Sequence, residues 1–255
     1  MRVGSASVLS PENTACMQLD LVTFLGSFVI VLFGAIIQAA TGLGAGLLIV
    51  PILALINIEF VPGPVIFASL VLSSLMAYQG RSHIRTQQLG VVFLGLLAGM
   101  GVGAIIVAVM PLDQLGIVFG LCILIAVLIS GFIKHVQFTF VHKLAAGALA
   151  GFMGTTAAIG APVLALLYQF EDGKVIRATL GLLYFVSSVT MLLFLHLAGH
   201  FSGADIILGI YLIPGFIAGY LFAGKIAQFV DRGHARPTVL VISAVSAVVL
   251  IAKNL

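Results

Sequence analysis

Apolar segments follow one another along almost the whole chain, and only short polar connections separate them. Charged residues make up 7% of the 255 residues, whereas a soluble globular domain has about 25%. Water could not solvate a surface made from such a sequence, so the fold must have a lipid bilayer as its solvent. Inside a bilayer each backbone polar group needs an internal partner, which a helix supplies. We therefore expect an all-α, polytopic integral membrane protein.

Ten segments have the composition of membrane helices or of parts of them. A complete crossing needs about 20 apolar residues. Three segments, 44–57, 142–157 and 159–171, are shorter than this, and we expect them to be half-crossing or broken helices. The other seven candidate segments are 19–40, 62–80, 88–110, 114–133, 175–198, 203–228 and 236–253.

The positions of the basic residues predict an orientation for these segments. Nine of the eleven Lys and Arg residues lie in four connections: Arg81 and Arg85; Lys134 and Lys143; Lys174 and Arg177; and Lys225, Arg232 and Arg236. The positive-inside rule places these connections in the cytoplasm, and both chain termini then lie outside. On this assignment 19–57 and 142–171 form two hairpins that approach the bilayer from opposite sides.

Two glycine-containing interruptions lie about half a chain apart. The first covers residues 38–46 (QAATGLGAG) and the second covers residues 154–162 (GTTAAIGAP). Adding 116 to the residue number takes Gly42 to Ala158, so the two stretches correspond. Paired interruptions of membrane helices are the strongest sequence indication of a transporter's binding site. We refer to them below as the first break and the second break.

The residues at the breaks favour an anionic ligand. Glycine releases the backbone from helical dihedral angles, and the free N–H groups at a helix start bind anions without Lys or Arg. Helices that start near Gly44 and Gly160 would direct such groups at one point. All eight acidic residues fall at predicted segment ends or loops, so no mid-span carboxylate would repel an anion or attract a cation. Neutral donors close to the breaks are Gln38, Thr41, Thr155 and Thr156.

Further internal matches support two inverted-topology repeats of about five helical elements each, with broken hairpins. The spacing of Gly95 and Gly99 recurs at Gly215 and Gly219, which is typical of close helix packing. The predicted organisation is a polar N-terminal segment (1–18), a first membrane repeat (19–133) and a second (142–253). Hydroxyl pairs 114 residues apart are secondary site candidates: Ser73 and Ser74, and Ser187 and Ser188.

Other classes of chemistry have little support in the sequence. The two cysteines, Cys16 and Cys122, form no CxxC motif, and the histidines lack the carboxylate or thiol neighbours of a zinc site. No motif of an intramembrane enzyme is present. We expect no enzymatic activity, no catalytic residues, no metal, no cofactor and no nucleic-acid partner. The expected partners are a small anion and the lipid bilayer.

The break motifs resemble those of the TauE/SafE family of sulfite exporters, also called TSUP or DUF81. The first-half motif consists of Gly34, residues 41–46 (TGLGAG) and Pro51. The second-half motif consists of Gly147, Gly151, Gly154 and residues 159–162 (IGAP). This chain has Ala45 where a further glycine is common in the family, and Ala161 separates the Gly and Pro that are commonly adjacent.

The resemblance implies an inner-membrane carrier, an exporter, of small sulfur-containing anions such as sulfite or organosulfonates. It also implies binding-site positions at Gly42, Gly44, Gly46, Gly160 and Pro162. Two alternatives stay open: a permease that holds a cation or a neutral metabolite with backbone carbonyls at the same breaks, and a membrane assembly factor that transports nothing. The coupling ion, a proton or sodium if there is one, and the oligomeric state are not identified by the residues.

Overall fold

The computed structural model describes residues 21–42, 45–87, 89–132, 139–230 and 235–253. These residues form ten α-helices and no β-strand, so the all-α prediction is confirmed for them. The predicted polar segment 1–18 lies outside the described residues. The helices are α1 (Leu21–Thr41), α2 (Gly46–Ile56), α3 (Gly63–Gln79), α4 (Leu89–Val109), α5 (Leu112–Phe132), α6 (Phe140–Ala157), α7 (Ala161–Leu167), α8 (Gly173–Leu197), α9 (Gly203–Val230) and α10 (Ala235–Lys253).

Helix length separates crossing helices from shorter elements. Five helices, α1, α4, α5, α8 and α9, contain stretches long and apolar enough to cross a membrane. In contrast, α2 has 11 residues and α7 has 7, which correspond to about 17 Å and about 10 Å at 1.5 Å per residue. The hydrocarbon core is about 30 Å thick, so neither helix crosses alone. These are the predicted short segments 44–57 and 159–171.

The third segment predicted to be short is longer in the structure. Helix α6 begins at Phe140, two residues before the predicted start, and has 18 residues, or about 27 Å. Its start is fixed by a capping box, in which the Thr139 side chain accepts from the His142 N–H and the His142 ring accepts from the Thr139 N–H. Length therefore does not mark α6 as a half-crossing helix.

Glycine faces allow two pairs of helices to approach very closely. A Cβ atom on Gly95 or Gly99 of α4 would collide with a backbone carbonyl oxygen of α6, and one on Gly219 of α9 would lie 2.5 Å from the Ala35 Cβ of α1. Only glycine fits at such separations, as in small-xxx-small packing between membrane helices. The predicted packing role of these glycines is confirmed.

The most extensive helix contacts join the first half of the chain to the second. Helix α4 packs along α6 and α9 packs along α1, while α3 packs along α8 and α5 along α10. If α1 to α5 are exchanged with α6 to α10, each of these four pairings maps onto itself or onto another of the four, whereas the extensive pairing of α3 with α9 maps onto a much smaller contact between α4 and α8. The two halves therefore interlock, and the start of α2 meets the end of α6 in the interior.

Candidate functional site

The first break begins with a left-handed residue. Gly42 has φ of +76° and its N–H donates to the Gln38 carbonyl oxygen at 2.7 Å, which ends α1. Glycine adopts this conformation without steric penalty. The Gln38 side chain reaches across the break, where its Oε1 accepts from the Ala45 N–H at 2.5 Å and so caps the start of α2. The predicted site residue Gly44 lies outside the described residues.

The second break has the same backbone conformation at the corresponding position. Ala158 has φ of +56°, and its N–H donates to the Gly154 carbonyl oxygen at 2.9 Å. It is the one residue other than glycine with positive φ in the described part of the chain. Gly42 and Ala158 are the residues related by the offset of 116, so the two left-handed residues occupy corresponding positions in the two sequence stretches.

The two breaks are in contact. A Cβ atom on Gly46, at the start of α2, would lie 2.5 Å from the Ala158 carbonyl oxygen. The Tyr184 hydroxyl of α8 is within hydrogen-bond distance of a carbonyl in each break, at 2.8 Å from the Gly42 oxygen and 3.2 Å from the Ala161 oxygen. Helix α8 thus holds both breaks through one side chain.

A cavity of about 60 Å³ lies where the breaks meet, and we call it the central cavity. It has room for several water molecules, since a cavity of about 10–15 Å³ already holds one. None of its described lining residues is charged. Five of the predicted site residues line it: Gln38, Gly46, Gly160, Ser187 and Ser188.

The polar groups of the central cavity differ in what they can offer a ligand. The Gln38 side chain is 6% exposed, and because its Oε1 is occupied by Ala45, its Nε2 keeps two N–H donors. Ser188 forms no hydrogen bond with another described residue, so its hydroxyl can donate. By contrast, the Ser187 hydroxyl donates to the Leu183 carbonyl at 2.6 Å and offers only lone pairs.

The predicted threonines do not line the central cavity. The Thr41 hydroxyl donates to the Ile37 carbonyl of its own helix at 2.7 Å. Thr156 donates to the Phe152 carbonyl at 2.8 Å, and the buried Thr155 hydroxyl has no partner among the described residues. The last two threonines face neighbouring helices instead of the cavity. Thr155 contacts the Gly103 face of α4, and the Thr156 hydroxyl is 3.6 Å from the Cys122 sulfur of α5.

Four other predicted residues also lie off the cavity wall. Gly42 is behind the Tyr184 hydroxyl, and Pro162 occupies the first turn of α7. The hydroxyls of Ser73 and Ser74 donate to carbonyls of their own helix, at 2.9 Å to Ser69 and 2.8 Å to Val71. The structure therefore brings the second serine pair to the cavity but not the first.

Several lining residues were not predicted from the sequence. Ser69 of α3 lines the cavity and donates its hydroxyl to the Ile66 carbonyl at 2.8 Å. On α8, four residues at positions i, i+3, i+4 and i+7 line the cavity together: Tyr184, Ser187, Ser188 and Met191. This spacing puts them on one helix face, and it was the signal in the sequence that could have identified Tyr184 and Met191.

Comparisons with known proteins indicate the family to which this chain belongs. Neither the search of curated proteins nor that of solved structures gives a match. A sequence profile described as sulfite exporter TauE/SafE matches residues 27–250, nearly the whole chain. The matched region includes both breaks and every described residue of the central cavity. This multi-pass membrane protein, its breaks joined around one uncharged cavity, therefore belongs to the sulfite exporter TauE/SafE family.

Proposed function

We propose that this protein is a secondary transporter that exports a small sulfur-containing anion, such as sulfite or an organosulfonate, across the inner membrane. The observation that carries the proposal is the cavity at the meeting point of two corresponding helix breaks, whose described lining residues are uncharged. Family membership supports a membrane transporter of sulfite-type anions. The basic connections lie in the cytoplasm and both termini lie outside, because the positive-inside rule orients the chain in this way.

Neutral donors hold the anion in this proposal. The Nε2 of Gln38 and the hydroxyl of Ser188 supply hydrogen bonds, and the first N–H groups of α2, near Gly46, lack partners within the helix. The positive end of the α2 dipole adds to their effect. Helix α7 has fewer than two turns, so Gly160 contributes mainly by letting the backbones approach. The remaining described positions that were predicted, Gly42, Thr41, Thr155, Thr156 and Pro162, shape the breaks.

The size of the central cavity favours the smallest members of the substrate class. Sulfite has four heavy atoms, which match a space for several water molecules. An organosulfonate with a carbon chain requires the cavity to widen. We therefore expect transport of sulfite to be faster than transport of a sulfonate that carries an additional carboxylate.

Alternating access follows from two halves related by inversion. In inverted-repeat carriers one repeat rocks against the other around a fixed midplane site. The exchange of helix pairings between α1 to α5 and α6 to α10, and the matching left-handed residues Gly42 and Ala158, support this relation. Because each break belongs to a different half, rocking would change which side of the central cavity is open.

Gln38→Glu tests the proposed site by replacing one side-chain amide with a carboxylate. The carboxylate keeps an acceptor for the Ala45 N–H and replaces the donor that faces the cavity. We expect sulfite transport into proteoliposomes at alkaline pH to fall roughly 10-fold to 100-fold, since hydrogen bonds to charged groups contribute about 1.5–3 kcal/mol. The matched control is Gln114→Glu on the exposed start of α5, which should transport normally. Unchanged transport by a correctly inserted Gln38→Glu protein would refute the site.

One observation favours the alternative of a cation or neutral-metabolite permease. The hydroxyls of Ser69 and Ser187 donate to their own helices, so they present lone pairs to the cavity, and lone pairs suit a cation. Parallel flux measurements with radiolabelled sulfite and with alkali ions separate the two functions. Alkali-ion flux without sulfite flux would establish the permease, and the absence of both would favour a non-transport assembly factor.

A further inference from the structure

A second cavity, of about 280 Å³, lies between the end of α3, the start of α8 and α9. Two cations, Lys174 and Arg177, line it together with His83 and with the polar side chains of Gln79 and Tyr220. No carboxylate is found among its described lining residues. We call it the basic cavity, and it has room for an anion that keeps its hydration shell.

No described neighbour neutralises the positive charge of the basic cavity. Arg85 is ion-paired with Glu171, and Arg81 lies over the Tyr78 ring at 4.8 Å and donates to the Tyr78 carbonyl. Lys174 and Arg177 have no carboxylate partner among the described residues. Asp172, the nearest remaining acid in sequence, is exposed at the start of α8. An anion that enters the basic cavity would therefore meet two cations without displacing a carboxylate.

A hydrogen bond to another described residue positions Arg177 for a ligand. Its Nη1 donates to the Ala40 carbonyl oxygen at 3.1 Å, at the end of α1. A guanidinium group has five N–H donors in a fixed fork, so this bond orients the group and leaves most of its donors available. Such a fork suits the paired oxygens of an oxyanion. Lys174, three residues earlier on the same helix face, adds a mobile charge.

Neighbouring residues of the first break line the basic cavity and the central cavity. Ala39 lines the basic cavity, whereas its neighbour Gln38 lines the central cavity. On α8, Arg177 holds the Ala40 carbonyl and Tyr184 holds the Gly42 carbonyl. These two α8 residues are seven positions apart, which is about 10 Å along a helix. An anion bound at Arg177 is therefore close to the central cavity.

We propose that the basic cavity is a second oxyanion site, which captures the hydrated anion on the cytoplasmic side before it enters the central cavity. The identity of the anion, sulfite, rests on the proposed function, whereas the site itself rests on its own unpaired cations. Positive charge in a recess raises the local concentration of anions and their rate of association. The neutral central cavity then receives an anion that has already been concentrated.

Equilibrium binding of radiolabelled sulfite tests the proposal on the full chain in phosphatidylcholine nanodiscs. We expect two sites per wild-type chain and one site in the variant K174Q/R177Q. Lys174→Gln alone, which leaves the Arg177 bond to Ala40 intact, should weaken the second site roughly 10-fold. Arg81→Gln removes the same charge from a residue engaged with Tyr78 and should retain both sites. Equal stoichiometry in the wild type and in K174Q/R177Q would overturn the basic site.

The failure of this proposal is distinguishable from the failure of the central site. If Gln38→Glu leaves sulfite binding unchanged while K174Q/R177Q lowers it, the central site is wrong and the basic site stands. If Gln38→Glu lowers binding and K174Q/R177Q does not, the reverse holds.

A lipid headgroup could supply the same phosphate-like chemistry as a free anion, so the lipid is varied. At saturating sulfite, the binding that depends on Lys174 and Arg177 should persist in nanodiscs that contain phosphatidylglycerol. Loss of that binding would identify the occupant as an anionic headgroup and overturn the capture of a free anion.

Discussion

Ala158 occupies a backbone conformation that the corresponding residue of the first break, Gly42, adopts without a Cβ atom. A left-handed conformation costs an ordinary L-residue about 1–2 kcal/mol, whereas glycine loses about 0.5–1 kcal/mol more conformational entropy on folding. Ala158→Gly should therefore stabilise the protein by about 0.5–1 kcal/mol, seen as a higher apparent Tm in detergent. Ala157→Gly, one residue earlier and inside α6, should lower it. A lower Tm for Ala158→Gly would contradict the prediction.

At this scale the sequence located the breaks but not the side chains around them. The offset of 116 aligned Gly42 with Ala158, but the sequence did not indicate that Ala158, which has a Cβ atom, adopts a left-handed conformation. Which polar residues face the cavity depends on the rotation of each helix about its axis. Thr155 and Thr156 lie within the second break and yet face α4 and α5, whereas Ser188 lines the cavity from a different helix.

The contact between α4 and α6 is the clearest dependence on glycine among the helices. A Cβ atom on Gly99 would collide with the Ala148 carbonyl oxygen, whereas one on Gly101 would lie 3.7 Å from the Phe194 ring, an ordinary contact. Gly99→Ala should therefore destabilise the protein by about 1–3 kcal/mol, as overpacking does. Gly101→Ala should be neutral or stabilising. Thermal unfolding monitored by size-exclusion chromatography compares the two, and equal stability would exclude close packing at Gly99.

Helix positions were predictable to within a few residues where apolar length alone decides them. Helix α7 is the main difference, since the segment 159–171 forms a helix only over Ala161–Leu167. Beyond it the N–H groups of Tyr168 and Gln169 donate to carbonyls three residues earlier, at 3.2 and 3.4 Å, so the last turn is tighter than an α-helix. No proline or glycine marks this end, and composition therefore did not reveal it.

The orientation that we propose for the whole molecule from its charged connections can be tested by chemical labelling. In a cysteine-free background, Glu59→Cys and Ser82→Cys place single thiols at two exposed positions, beyond opposite ends of α3. A membrane-impermeant thiol reagent added to intact cells should label the first and not the second, because the positive-inside rule predicts that the connection with Arg81 and Arg85 is cytoplasmic. Permeabilised cells provide the control, in which both positions react. Labelling of both in intact cells would refute the assignment.

The sequence indicated repeated motifs in the two halves of the chain, but it did not indicate which helices pack together. Repeated motifs indicated two related halves, since each half carries a break and a glycine face. The partner of each face is set by long-range packing, and the structure pairs α4 with α6 and α9 with α1. A sequence that is apolar on nearly every helix face gives no local signal for that choice.

The single hydroxyl proton of Tyr184, shared between acceptors on Gly42 and Ala161, makes the two hairpins compete for one donor. When either hairpin moves away from α8, the bond to the other hairpin can shorten. The Tyr184 side chain would thus keep one hairpin bound to α8 while the other moves. Tyr184→Phe should then permit passive leakage, measured as sulfite efflux from loaded proteoliposomes without a driving gradient. Efflux as slow as that of the wild type would show that other contacts hold both hairpins in place.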